Sequence, residues 1–213
     1  MFHRHLPRAL RSGVVVVLVQ ALAACSSLTS SPEKLEQPVG LLAVLPIDRE
    51  LLPESTDATG RALLEPGAEQ AVTAAVYDAL STDSTWRFVA DPTVRGVVRR
   101  LPSSTPIEER AAALGKAVNA DGVLYGKVWR FQERVGGDFG ARFPASVGFN
   151  LRLLSVASGK TVWTGTFDQT QQPLSSNLLN FWQFWEGGAK FFTVREFSRV
   201  GARRLLRDLQ SRT

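Results

Sequence analysis

The sequence predicts an α/β domain: a mixed sheet of about five strands with helices packed on it, ending in an antiparallel three-strand meander and a C-terminal amphipathic helix. Three observations predict it. Residues 39–45 (VGLLAVL) are continuously apolar up to Pro46, the pattern of a strand buried on both faces. Between residues 67 and 118 apolar side chains recur at helical spacing. After residue 122 the period becomes alternating, in three successive runs.

Taken in order, the strand at 39–45 leads into residues 46–66, which hold three prolines, one glycine and scattered charge. This reads as a solvated excursion with a short helical turn near Leu51 or Leu63. Val72, Ala75, Val76, Ala79 and Leu80 share a helix face, with Glu69 near the start where the helix dipole favours an acid. Residues 85–89 (TWRFV) form a short strand ended by Asp91-Pro92, and Val94, Val97, Val98 and Leu101 mark a short helix. Thr105-Pro106-Ile107-Glu108 has the composition of a capping box and opens a helix with face Ile107, Ala111, Leu114 and Val118. The alternating runs are 123–135, 143–156 and 161–168, placing Trp129, Phe131, Phe149, Leu151, Leu153, Trp163 and Phe167 on one face. Gly136-Gly137-Asp138 and Ser158-Gly159-Lys160 supply the turns.

The N-terminus carries a different signal. Basic Arg4, Arg8 and Arg11 precede an apolar run over 14–24, too short to span a bilayer, which needs roughly twenty residues. Leu22-Ala23-Ala24-Cys25 closes the run and resembles the lipobox of bacterial lipoproteins. The resemblance implies diacylglycerol on the Cys25 sulfur, cleavage before Cys25 and acylation of the new amino group. Ser26, in place of an acid, suggests sorting to the outer membrane, with the protein lipid-anchored on the periplasmic side. The expected organisation is 1–24 signal peptide, 25–38 lipidated tether, 39–168 α/β periplasmic domain and 169–213 an aromatic-rich segment with a C-terminal helix packing on the domain.

Composition narrows the chemistry. The chain is +5 overall, but three of its 25 basic residues and none of its 20 acids lie in the signal, so the mature protein is close to neutral and no nucleic-acid partner is expected. His3 and His5, the two histidines, leave with the signal, and the one cysteine is acylated. Imidazole bases, thiol nucleophiles, disulfides and His/Cys metal sites are thereby excluded, and no cofactor is expected. Glu108-Glu109 or Asp48 with Glu50 are the acid and base pairs a glycan hydrolase would need, though nothing in the spacing makes two carboxylates converge. Ser158-Gly159-Lys160-Thr161 imitates the end of a phosphate loop but joins two strands, so it reads as a hairpin turn.

A first strand of LLAVLP type, a helix running into residues 119–128 (NADGVLYGKV), and a hairpin ending at 157–163 (ASGKTVW) resemble a periplasmic domain of several bacterial envelope proteins. These are the TolB N-terminal domain, the lipoprotein activators of peptidoglycan synthases, and the curli secretion lipoprotein CsgG. The resemblance spans residues 39 to about 167 and implies a binding and assembly domain without catalytic residues. Residues 168–174 (DQTQQPL) resemble instead the tails of uncharacterised bacterial lipoproteins.

Two features of the tail are candidate partner-binding surfaces. Phe181, Trp182, Phe184 and Trp185, with Phe191 and Phe192, concentrate aromatics in a chain that averages 9%. They either close the core or form a docking or membrane-interface patch. Thr193-Val194-Arg195-Glu196 is a second capping box, opening a helix whose apolar face is Val194, Phe197, Gly201, Leu205 and Leu209, with Arg195, Arg199, Arg203 and Arg207 opposite. That stripe is either a phosphate- or acid-binding surface or a solvated face.

The expectation is thus a membrane-anchored, non-enzymatic binding or assembly factor, held by acyl chains on Cys25, with an envelope protein or peptidoglycan as partner. An oligomer is possible. The alternatives are a subunit of an oligomeric outer-membrane secretion pore, with the 129–153 hairpin crossing the membrane and Arg130, Glu133, Arg134 and Arg152 facing a lumen, and, less favoured, a carboxylate-dependent hydrolase.

Overall fold

The computed structural model describes residues 39–137, 140–171 and 191–213. The strands are β1 Leu41–Val44, β2 Asp48–Arg49, β3 Arg87–Phe88, β4 Gly122–Tyr125, β5 Lys127–Gln132, β6 Val135–Gly137, β7 Gly140–Phe143, β8 Ser146–Ser155 and β9 Thr161–Thr170. The helices are α1 Ala68–Thr82, α2 Asp91–Val98, α3 Ile107–Ala117 and α4 Val194–Gln210. Seven strands form one mixed sheet, while β6 and β7 pair separately.

β8 organises the sheet. Along one edge it pairs antiparallel with β9 over its whole length; along the other it pairs with β4 and β5, which follow each other in one line. β1 and β2 likewise run in tandem, β1 parallel to β4 and β2 parallel to β5, and β3 adds parallel to β1. The ribbons therefore stand in the order β9, β8, β4/β5, β1/β2, β3, the mixed α/β sheet expected from the sequence. β3 joins one side of β1 and β4 the other, so right-handed crossovers place α1 on one face and α2 and α3 on the opposite face.

The first face buries Leu42, Val44, Leu124, Phe149, Leu151, Leu153, Trp163 and Phe167 against Val72, Val76 and Leu80 of α1 and Phe197, Leu205 and Leu209 of α4. Phe167 stacks at 5.8 Å from Phe149 and edge-on at 5.4 Å from Phe197, joining strand to strand and strand to helix. The second face buries Ala43, Leu45, Val123, Tyr125 and Leu154 against Val94 of α2 and Ile107, Ala111 and Leu114 of α3. β1 and β4 are therefore covered on both sides, as their continuous apolar runs require.

Four expectations are corrected. The run 123–135 is not one strand: it breaks at Gly126, where a Cβ would lie 2.0 Å from the Asn150 carbonyl oxygen, so only glycine allows this approach to β8. A bulge between Val128 and Arg130 then shifts the alternation. Val128 and Phe131 both reach the core, and Trp129 turns away from the face assigned to it. Residues 46–66 do not hold a helical turn; the free edge of β5 captures them instead. Glu50 N–H donates to Val128 at 2.8 Å, Phe131 N–H to Leu63 at 2.7 Å and Glu65 N–H to Phe131 at 3.1 Å. Finally, Thr105 does not cap α3. Pro106 is the N-cap residue, without a side-chain cap, which moves the helix start one residue on and leaves Glu108 to pair with Arg152 at 3.3 Å. The second capping box forms as read: Glu196 N–H donates to Thr193 Oγ1 at 3.2 Å and Thr193 N–H to Glu196 Oε2 at 2.8 Å. Gly159, at φ 68°, makes the β8–β9 turn.

α4 can lie close on β9 only because residue 201 has no side chain: a Cβ there would stand 2.6 Å from the Phe167 ring. Overpacking of this kind costs about 1–3 kcal/mol. Gly201→Val is expected to lower the melting temperature by about 3–10 °C, read by circular dichroism. An unchanged melting temperature would show that α4 is not held at this contact.

Candidate functional site

Cys25 and the aromatics Phe181, Trp182, Phe184 and Trp185 lie outside the described residues. Arg195, Arg199, Arg203 and Arg207 are all exposed on α4. They do not act as one stripe. Arg203 pairs with Asp78 of α1 at 3.2 Å and Arg199 approaches the same carboxylate at 4.0 Å, so these two help fasten α4 to α1. Among the described residues, Arg195 and Arg207 carry no ion pair, and they flank the fastened pair at either end of the helix.

Three of the four carboxylates considered for acid and base roles are engaged separately. Asp48 holds Arg110 at 2.8 Å, Glu50 faces Lys127 at 3.7 Å, and Glu108 holds Arg152. Each of these three sits beside its own cation, while Glu109 is exposed on α3. Of the residues placed in a pore lumen, Arg130 pairs with Asp168 of β9 and Arg152 with Glu108 of α3, while Glu133 accepts backbone N–H groups of Arg134 and Val194. These contacts build β5 and β8 into the middle of the sheet.

The structure brings together a surface that sequence reasoning missed. α2 and α3 cover the second face over β1, β4 and the Leu154 end of β8, and among the described residues no helix lies over the Trp129 end of β5, β8 and β9. Trp129 lies across this face. Its indole occupies the space over Gly148, where a Cβ would meet Nε1 at 2.4 Å, and Nε1–H donates to Asp168 at 3.2 Å. Arg130 donates to the other oxygen of the same carboxylate, while its buried Nε has no partner among the described residues. Three strands thus contribute to one cluster: β5 the indole and guanidinium, β8 the glycine that makes room, β9 the acid.

On its other side Trp129 borders a cleft of about 220 Å³ with Leu51, Leu52, Leu63 and Leu64. The cleft opens where 46–66 leaves the β5 edge after Glu50 and rejoins it at Leu63. At its lip Leu51 is 79% and Leu52 41% exposed, unusual for adjacent leucines. The excursion is braced at both ends. Arg49 donates to Glu69 at 2.8 Å, and Asp57 accepts from Thr59, Arg61 and Gln132. The Thr59 hydroxyl first, and then the Gln132 amide, hold the Asp57 carboxyl well below the usual carboxylate range; the Arg49 guanidinium holds Glu69 down as well. Adjacent leucines in a charged loop were the one signal of this site in the sequence. The parity of Trp129 was not readable, because a bulge leaves no mark in composition.

No protein-family model matches the sequence, and no curated protein matches it. Solved structures are similar in part. One is the PelC dodecamer from Paraburkholderia phytofirmans, at 16% identity, TM-score 0.45, covering 82% of this chain and 89% of that one. Another is lipoprotein GNA1162 from Neisseria meningitidis, at 15% identity and TM-score 0.45, covering 70% and 98%. A third is the LpoB C-terminal domain from Escherichia coli, at 15% identity and TM-score 0.43, covering 64% and 87%.

Depressed carboxylates give the excursion a definite pH response. Glu69 and Asp57 contribute stability that is fully present above the ordinary carboxylate pKa of roughly 4 and is lost as pH falls through their lower folded values. Protection of the amides at residues 51–63, taken relative to the unstructured exchange rate at each pH, is expected to fall on acidification below about pH 4, ahead of the sheet. In Glu69→Gln the same amides should exchange faster already at neutral pH; equal rates in the two proteins would remove the brace from the account.

Proposed function

We propose that the chain is an outer-membrane lipoprotein, anchored through acyl chains on Cys25, that acts as a non-catalytic binding or assembly factor for an envelope protein or polymer. In this reading residues 1–24 are removed, 25–38 tether the protein, and the sheet domain with α4 presents the binding surface on the periplasmic side. The thirteen residues after Cys25, 26–38, reach at most about 45 Å, which keeps that surface near its membrane.

One observation carries the reading. The sheet is sealed on one face by α1 and α4, yet its second face is left open at Trp129, Arg130 and Asp168, continuous with the leucine-lined cleft. A half-buried indole beside a preformed apolar notch, with charged groups held in place, is a docking arrangement. Asp48, Glu50 and Glu108 are each tied to their own cation, which favours binding over chemistry. Arg195 and Arg207, with Phe181, Trp182, Phe184 and Trp185, are the further partner contacts in this reading. No cofactor or nucleic acid enters it.

Two expected outcomes test it. Cys25→Ser should move the protein from the membrane to the soluble fraction of fractionated cells, and unchanged membrane retention would sink the anchor. Trp129→Ala with Leu52→Asp should cut the recovery of a cross-linked envelope partner about tenfold while shifting the melting temperature by under about 3 °C. Full recovery with both changes in place would move the docking surface elsewhere on the protein.

A further inference from the structure

The outer edge of β9, which shares Asp168 with that site, has a hydrogen-bond parity that can be read from the sheet. Gln171 N–H donates to Ala145 at 2.9 Å, in the same register that pairs Leu151 with Gly165 and Phe149 with Phe167. In an antiparallel ladder bonded and non-bonded pairs alternate. Trp163, Gly165, Phe167 and Gln169 therefore spend their N–H and C=O groups on β8, while Thr164, Thr166, Asp168 and Thr170 point theirs outward. The opposite edge of β8 confirms the parity: Val156 N–H donates to Asp121 at 2.9 Å, so even-numbered residues of β8 bond β4 and odd-numbered ones bond β9.

Edges this long are ordinarily defended by lysine, proline or a bulge within the strand. Over residues 163–170 β9 has none of these: the irregularity lies between Leu153 and Leu154 of β8, opposite the first residues of β9, and the one charge is Asp168, already held by Arg130 and Trp129. Among the described residues β9 pairs with β8 alone.

The geometry points to a second copy of this chain as the occupant, its β9 pairing antiparallel with the first about a two-fold axis at Thr166. In that register Thr166 faces Thr166 of the other copy and Thr164 faces Asp168. No like charges meet, and the Thr–Thr contact is favourable across strands. Both sheets then run on as one, and the outward groups of Thr164, Thr166 and Asp168 are satisfied in both copies. The contact is isologous, as a closed dimer requires.

The register makes the test specific, because residue 166 meets itself and residue 164 meets an acid. The full chain, extracted in detergent at about 50 μM, is examined by sedimentation, a concentration suited to a small interface. Wild type is expected to sediment as two copies. Thr166→Lys, which sets two lysines opposite each other, and Thr166→Pro, which deletes an outward N–H that the β8 ladder does not use, should each raise the dimer dissociation constant roughly tenfold or more. Thr164→Lys, facing Asp168, should leave the dimer intact, and circular dichroism confirms that each variant is folded. A monomeric wild type overturns the proposal. So does a mass, whether of a dimer or a larger ring, that Thr166→Lys leaves unchanged, or equal loss in Thr164→Lys and Thr166→Lys.

Discussion

The structure rests on one strand being hydrogen-bonded along both edges. β8 gives its odd-numbered residues to β9 and its even-numbered residues to β4 and β5, so ten consecutive residues serve three other strands. Antiparallel pairing at β8 joins the meander to the parallel half built on β1. Two glycines make this possible: Gly126 lets the chain change line beside Asn150, and Gly148 leaves the space that the Trp129 indole fills. Everything placed on the sheet inherits its position from that strand. α4 reaches the core by lying on β9 and β8, and the Phe149, Phe167 and Phe197 rings carry the contact from strand to strand to helix.

An asymmetry between the two ends of the sheet follows. Crossover helices are obligatory where strands run parallel, so β1 and β4 are covered on both faces. Hairpin connections bring no helix with them, and among the described residues none lies over the Trp129 end of β5, β8 and β9. On the second face a tryptophan, an arginine and an aspartate are held by contacts that need no ligand to form, and it is there that the proposed docking site lies. The arginines of α4 divide by the same logic of neighbours. Arg199 and Arg203 face Asp78 on α1 and serve the fold, whereas Arg195 and Arg207 are exposed and have no ion pair among the described residues.

Two look-alike motifs show where local reading succeeds. Thr193 and Glu196 close a reciprocal cap because nothing between them restricts the threonine. Thr105 and Glu108 have the same spacing, but the intervening Pro106 takes the N-cap position with extended ψ, and the glutamate finds an arginine on β8 instead. The excursion at 46–66 failed in another way. Its prolines and charges read as a solvated loop, yet its backbone groups were claimed by a strand edge some seventy residues later in the chain. Competition from a distant partner leaves no local trace.

Sequence alone determined the fold class, the order of helices and strands, the two-sided burial of β1 and the core face of β8, because these follow from periodicity, which is local and repeated. The lipobox-like segment and the absence of histidine after residue 5 are equally matters of composition and order. Tertiary structure alone decided which way Trp129 points, which arginines are free to meet a partner, and which strand is left as the edge. Each of those depends on a single displaced residue or a single distant contact. A bulge reverses every side chain that follows it, an aspartate on another helix neutralises one arginine and not its neighbour, and the pairing of β8 on both sides makes β9 the last strand.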